Sequence, residues 1–194
     1  MHFYKVIRFL AILIFNIIFR IDIHGRENIP AKGRIILCSN HISLLDPVVL
    51  AIAVPRPISF MAKKELFNNK ILSILVSKLG AFPVDRKGSD ISAIRSSLKV
   101  LKEEKILGIF PEGTRVKKMD LDSAKPGISL ISIKGKSSII PVYIQSKYKL
   151  FSKISVKIGE PIYLDKYFDK KLSTEEYKNI SKDILKSIYS LNNA

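Results

Sequence analysis

Apolar positions in this chain recur in two periods that alternate along it. Short apolar runs suited to strands fall at Ile21 to His24, Arg34 to Ser39, Ile58 to Ala62, Ala81 to Val84, Ile106 to Phe110, Ile139 to Ile144 and Ile154 to Ile158. Between them the spacing opens to three and four, as a helix with one apolar face requires. Leu66, Phe67, Ile71, Leu75 and Leu79 make one such stripe, and Ile91, Ile94, Leu98 and Leu101 another. A last stripe, Tyr177, Ile180, Ile184, Ile188 and Leu191, is preceded by Ser173 with Glu176 three residues on, the signature of a capping box. All three stripes read as core. Strands alternating with helices predict an α/β domain, a single mixed, mostly parallel sheet flanked by helices. No internal repeat, low-complexity tract or long linker divides it.

The start of the chain follows a different pattern. Between Phe3 and Phe19 nearly every residue is apolar apart from Lys5, Arg8 and Asn16, and the densest part, Phe9 to Phe15, is too short to span a bilayer comfortably. Residues 1–20 are therefore expected to form a membrane-associating helix ahead of a domain over 21–194. In that pose Lys5 and Arg8 reach for head groups while Phe3, Leu10, Leu13 and Ile17 enter the acyl boundary, each buried methylene contributing about 0.8 kcal/mol. A signal peptide shares the basic start, but Arg20, Asp22 and His24 stand where small cleavage-site residues belong. A full membrane span stays open as the alternative.

Composition narrows the partners. With 194 residues, 47% of them hydrophobic, the chain can bury one substantial core. Its 33 Lys and Arg against 17 Asp and Glu give a net charge of +16, which points to an anionic partner, although solvated lysine faces account for part of the excess. No zinc finger, basic arm or ribonucleoprotein aromatic signature suggests nucleic acid, and the apolar N-terminus directs the reading to an anionic phospholipid membrane. The single cysteine, Cys38, lies inside an apolar run and reads as a buried small residue. His2, His24 and His41 are far apart, with no ligand spacing, so no metal is expected.

Candidate chemistry begins at Asn40-His41-Ile42-Ser43-Leu44-Leu45-Asp46, directly after the second strand. A turn that hands a strand over to a helix sits at a sheet edge, where clefts form. A neutral imidazole takes a proton near pH 7, and a carboxylate on its other nitrogen fixes the tautomer and stabilises the imidazolium. The nucleophile of such a pair can be a substrate hydroxyl. Asp46 also suits a helix N-cap, since Pro47 and an apolar helical stretch follow, and the two readings are compatible. A second turn, Phe110-Pro111-Glu112-Gly113-Thr114-Arg115, follows another strand. Gly113 permits close ligand approach and Arg115 offers a planar donor fork for an anionic oxygen. Gly80 to Arg86 again sets an arginine beyond an apolar stretch, and Ile139 to Ile144 carries Pro141 near a strand's start.

Jointly and in this order the four segments resemble the glycerolipid acyltransferase family, which includes the 1-acylglycerol-3-phosphate acyltransferases. The resemblance covers roughly residues 25 to 145: His41 and Asp46 fit the family's His-x4-Asp block, Phe110 to Arg115 its second block, and Pro141 its proline block. Arg86 falls where the family has an acceptor-binding arginine, and Lys125-Pro126-Gly127 looks like its loop before the next helix. The stretch Val116 to Asp120 departs from relatives that have a small polar residue after the arginine.

The resemblance implies acyl transfer from acyl-CoA or acyl carrier protein, with no cofactor, to lysophosphatidic acid, giving phosphatidic acid. It casts His41 as base and Asp46 as its orienting partner. Arg86 would bind the acceptor phosphate, with Glu112, Gly113, Thr114 and Arg115 shaping that subsite. Asn40, Ser43 and Pro141 would support the site or the acyl donor. The protein would sit on the cytoplasmic face of the cell membrane, monotopic or peripheral. Another lysophospholipid or an amino-lipid as acceptor stays open, as does a non-catalytic, basic, membrane-peripheral binding protein. Phe60, Met61 and the helix from Leu66 to Leu79 are candidates to line an acyl tunnel, backbone amides near Gly113 or after Asp46 are candidates for the oxyanion site, and Val116 to Lys125 is expected to be the most mobile loop.

Overall fold

Seven apolar runs become the seven strands of one sheet, ordered β1-β7-β6-β2-β5-β3-β4. In the computed structural model, which describes residues 2–85, 91–116 and 118–193, α1 (His2–Ile18) leads into β1 (Arg20–His24). There follow β2 (Ile35–Ser39), α2 (Asp46–Ala53), β3 (Ile58–Lys63), α3 (Lys70–Lys78), β4 (Phe82–Val84), α4 (Ile91–Lys102) and β5 (Ile106–Ile109). The chain closes with α5 (Gly127–Gly135), β6 (Ser138–Ser146), β7 (Lys153–Ile158) and α6 (Thr174–Ser190). Every pairing is parallel except β6 with β7, so the expected mixed, mostly parallel sheet is present. Every residue of β2 and β5 is buried, as strands covered on both faces require.

Two cores lie on opposite faces. α1 and α2 cover one, with Phe15, Phe19, Val49, Leu50 and Ala53 packed on the sheet. α4, α5 and α6 cover the other, with Leu101, Ile128, Ile131, Ile180, Ile184 and Ile188. The chain thus leaves β2 toward one face and the adjacent β5 toward the other, which opens a crevice at their shared carboxyl edge. α6 has the expected capping box: Ser173 accepts from the Glu176 amide at 3.2 Å, and Glu176 accepts from the Ser173 amide at 2.7 Å. Pro141 lies inside β6, where the β6–β7 ladder ends at Val142 and Ile158, so its missing N–H costs no rung.

Three expectations are corrected here. The stripe from Leu66 to Leu79 is not core: no residue of α3 is buried, and Ile71 is 82% and Ile74 57% exposed. Periodicity marks an apolar face without saying what covers it. α4 turns Ala93, Ser97 and Leu101 inward and leaves Ile91 exposed, with the Ser97 hydroxyl satisfied by the Ala93 carbonyl at 2.6 Å. Arg8 does not reach outward either. Its guanidinium donates to the carbonyls of Ala51 at 2.7 Å and Ile52 at 3.1 Å, supplying donors and positive charge at the C-terminal end of α2.

Candidate active site

Parallel pairing brings the two polar turns together. The β2–β5 ladder ends at Cys38 opposite Ile109, and three residues further on each segment stand His41 and Glu112. The His41 amide donates to Glu112 Oε2 at 2.9 Å. On the other side of β2, the Asn40 side chain extends the ladder to β6, donating to the Ile144 carbonyl at 2.9 Å and accepting from the Ile144 amide at 2.7 Å. The backbone of the His41 turn is therefore held from both neighbouring strands.

His41 is 6% exposed and Asp46 fully buried. Nδ1–H of His41 donates to Asp46 Oδ2 at 2.8 Å, which leaves Nε2 as the lone-pair nitrogen. The same oxygen accepts the amides of Ile42 and Ser43, each at 2.7 Å. Asp46 thus folds its carboxylate back onto the preceding turn instead of capping the helix that it begins. Leu45 occupies the N-cap position, and its carbonyl accepts the first helical amides. Ser43 stabilises the turn by accepting from the Leu45 amide at 3.2 Å. Phe110 stacks on the imidazole, ring centroids 4.0 Å apart and planes 19° from parallel, and Phe60 lies parallel beyond, 6.0 Å from Phe110. Gly108 makes room for this arrangement: a Cβ there would fall 2.4 Å from a Phe60 ring carbon.

Glu112 turns inward from the loop that carries it. It is 1% exposed and spends both oxygens internally, Oε2 on the His41 amide and Oε1 on the Tyr189 hydroxyl at 2.6 Å. Burial raises its carboxyl above the ordinary glutamate range, while the donors Tyr189 and His41 pull it partly back. Gly113 adopts φ 69°, a conformation that favours glycine, and its amide closes the turn onto the Phe110 carbonyl at 3.0 Å. That amide is accordingly engaged and not a free oxyanion donor. Thr114 and Arg115 are exposed, and Arg115 has no carboxylate partner among the described residues. The loop from Val116 to Lys125 is tied at both ends, by the Val116 amide to the His41 carbonyl at 2.8 Å and by the Lys125 amide to the Pro111 carbonyl at 3.1 Å. Arg86 lies outside the described residues.

Beside this centre is a cavity of about 770 Å³, lined mainly by apolar residues of β4, β5, α4, α5 and α6, among them Ala93, Ile94, Ile109, Ile128 and Ile131. Phe110 and Gly113 also line it, so the ring stacked on His41 borders the cavity. Of the tunnel candidates only Met61 takes part; Phe60 and α3 do not. Two functional neighbours escaped sequence reasoning altogether. The hydroxyl of Tyr148 donates to Asp46 Oδ1 at 2.6 Å, and Tyr189 holds Glu112 as described. Neither lies in a motif, and no spacing signal marks them. Among the described residues no group of three His, Cys, Asp or Glu is placed to hold a metal ion.

A sequence model of the Acyltransferase family matches residues 20–145. The chain belongs to that family. It is 38% identical over 149 residues to the 1-acyl-sn-glycerol-3-phosphate acyltransferase of Bacillus subtilis strain 168, covering 74% of each chain. It is 33% identical over 191 residues to the Streptococcus pneumoniae strain R6 protein of the same name, covering 94% of this chain and 70% of that one. The crystal structure of the 1-acyl-sn-glycerophosphate (LPA) acyltransferase PlsC from Thermotoga maritima superposes with a TM-score of 0.77 at 25% identity, over 98% of this chain and 80% of that one. The acyltransferase match spans both turns that meet at His41.

Proposed function

We propose that this acyltransferase moves an acyl chain from a thioester, acyl-CoA or acyl carrier protein, to the free hydroxyl of 1-acyl-sn-glycerol-3-phosphate, forming phosphatidic acid. The observation that carries the chemistry is the His41 Nδ1 to Asp46 Oδ2 hydrogen bond of 2.8 Å, which aims Nε2 away from its carboxylate as a base. The names of the relatives supply the acceptor. Nε2 takes the hydroxyl proton as that oxygen attacks the thioester carbonyl. The tetrahedral intermediate collapses with cleavage of the carbon–sulfur bond, and the imidazolium returns its proton to the departing thiolate. Asp46, held in place by two backbone amides, stabilises the imidazolium between these steps.

The apolar cavity bordered by Phe110 suits an acyl chain, its volume falling within the roughly 300–1,000 Å³ usual for small-molecule sites. The acceptor phosphate fits the turn at Gly113, where Arg115 is exposed and the Lys125 stem lies 3.6 Å from the position a Cβ of Gly113 would take. Acylation of a membrane lipid also calls for a lipid-facing surface. α1 offers Val6, Phe9, Leu10, Leu13, Ile14 and Ile17 exposed on one side, and α3, whose Lys78 ammonium lies 5.4 Å from the Phe3 ring, offers Ile71 and Ile74. Exposed Lys5, Lys64, Lys70 and Lys78 flank them, as an anionic bilayer favours. No helix among the described residues is long and apolar enough to cross a membrane. On this reading the two faces rest on the bilayer surface.

The deciding experiment supplies purified protein with acyl-CoA or acyl carrier protein and 1-acyl-sn-glycerol-3-phosphate, and follows thiol release and phosphatidic acid beside His41→Ala. We expect product from the wild type and a loss of about 10²- to 10⁴-fold in the variant, the usual contribution of a general base. Thiol release without this product would assign another lipid acceptor. No turnover with either donor across a panel of lysophospholipids would remove the proposal.

A further inference from the structure

Accounting for every oxygen of the two buried carboxylates isolates a pair of phenols. Among the described residues Asp46 Oδ2 receives three donors, from His41, Ile42 and Ser43, whereas Oδ1 receives the hydroxyl of Tyr148 alone. Among them, too, Glu112 Oε2 receives the His41 amide, whereas Oε1 receives the hydroxyl of Tyr189 alone. Both tyrosines lie beyond the stretch 20–145 that matches the family model. They reach the site from unrelated elements. Tyr148 follows β6, which runs parallel beside β2 and so ends at the same sheet edge, and Tyr189 sits in the last turn of α6.

We propose that Tyr148 and Tyr189 are positioning residues of acyl transfer, each holding one of the two carboxylates that hold His41; this rests on the reading of His41 as base. Tyr148 sets the orientation and charge of the acid on the imidazole side, and Tyr189 does the same for the acid on the backbone side. A carboxylate with Asp46 fully buried, or Glu112 at 1% exposure, has no water to replace a missing donor. With the phenol removed, the stranded oxygen must take up a proton, turn toward another donor or admit solvent. Each response alters what His41 meets. The backbone is committed to the arrangement: Tyr148 takes φ 48°, where a bulky side chain is an outlier, and its ring is braced edge-on by Phe19 at 6.1 Å. Burial and the adjoining carboxylates push both phenols up, so each stays protonated and able to donate.

The test compares Tyr148→Phe, Tyr189→Phe, the double variant and His41→Ala in the full chain, measuring kcat, both KM values and the pH profile of kcat/KM. Tyr148→Phe keeps the ring, so only the donor is lost. We expect kcat to fall about tenfold, as loss of a charge-assisted hydrogen bond predicts, with both KM values within about twofold. The acid limb of the profile should move to higher pH, because an oxygen without its donor leaves more negative charge facing the imidazole and so favours the imidazolium. Tyr189→Phe should move it in the same direction. A purely structural role would lower thermal stability and leave the limb in place, and a folded Tyr148→Phe protein with unchanged kcat and limb would overturn the proposal. A raised KM at unchanged kcat would also overturn it, by making the phenol a substrate contact. Should Tyr148→Phe not fold, replacing Tyr148 by 3-fluorotyrosine strengthens the donor and must move the limb to lower pH; an unmoved limb would again overturn the proposal. Full turnover by His41→Ala would instead remove the underlying reading of the base.

Discussion

The rings of His41 and Phe110 lie face to face at 4.0 Å, so the imidazole meets an aromatic surface wherever its charge changes. A π face attracts a cation, so with His41 as the base the imidazolium of turnover would gain more from it than the neutral ring does. Phe110→Leu should therefore lower kcat roughly fivefold, about 1 kcal/mol, at nearly unchanged fold. Steady-state kinetics beside circular dichroism check this. An unchanged kcat would make Phe110 simply a wall of the cavity.

Gly108 predicts a coupled effect. A methyl at this position would meet Phe60 at 2.4 Å and Ile58 at 2.8 Å. Gly108→Ala should cost about 1–3 kcal/mol by overpacking, and it should also slow turnover by displacing the ring parallel to Phe110. Urea unfolding and kcat measured on one preparation would show both losses together. Loss of stability alone would separate Phe60 from the site.

Glu112 gives stability a definite slope with pH. Burial raises its folded-state pKa above the unfolded one, so the folded chain holds this proton more tightly. The contribution is fully present below the unfolded value and is lost as pH rises through the raised folded value. Glu112→Gln has no such proton, so wild type should lose ground to the variant as pH rises from the ordinary glutamate range through the raised folded value. Parallel stability curves from denaturant titrations would contradict the raised value.

The lipid-facing reading predicts a separation of binding from chemistry. Phe9 and Ile17 are 60% and 74% exposed, so replacing both with serine removes apolar area without opening the core. Sedimentation with vesicles containing anionic lipid should show binding weakened more than tenfold, since each buried large side chain contributes about 1.5–3 kcal/mol. Activity on detergent-dispersed substrate should persist. Ile71→Ser with Ile74→Ser tests α3 in the same assay, and unchanged vesicle binding would take α3 out of that surface.

Local patterns made much of this fold legible in the sequence. Seven apolar runs gave seven strands, and Ser173 with Glu176 marked the start of α6, because capping and alternation are written within a few residues. His41, Asp46 and the turn at Glu112 were legible because each follows a strand, and parallel pairing puts strand ends at one edge. What stayed hidden depends on contacts between distant residues. Tyr148 meets Asp46 across 102 positions and Tyr189 meets Glu112 across 77. Arg8 looked like a head-group ligand because its partners, two backbone carbonyls, carry no sequence signal. The stripe on α3 showed its period plainly, yet no arithmetic of spacing distinguishes a face against a core from one left open.

Arg8 also bears on how this protein can be handled. It clasps the far end of the helix that Asp46 begins, while Phe15 and Phe19 of the same N-terminal segment fill the core beneath. Trimming the first 18 residues to obtain a more tractable chain would unseat α2 at one end and disturb the acid at its other. If α1 is the lipid-facing surface proposed above, that contact is better removed by recolouring its outward face with polar side chains, keeping Arg8 and its inward neighbours, so that the footing of α2 stays set.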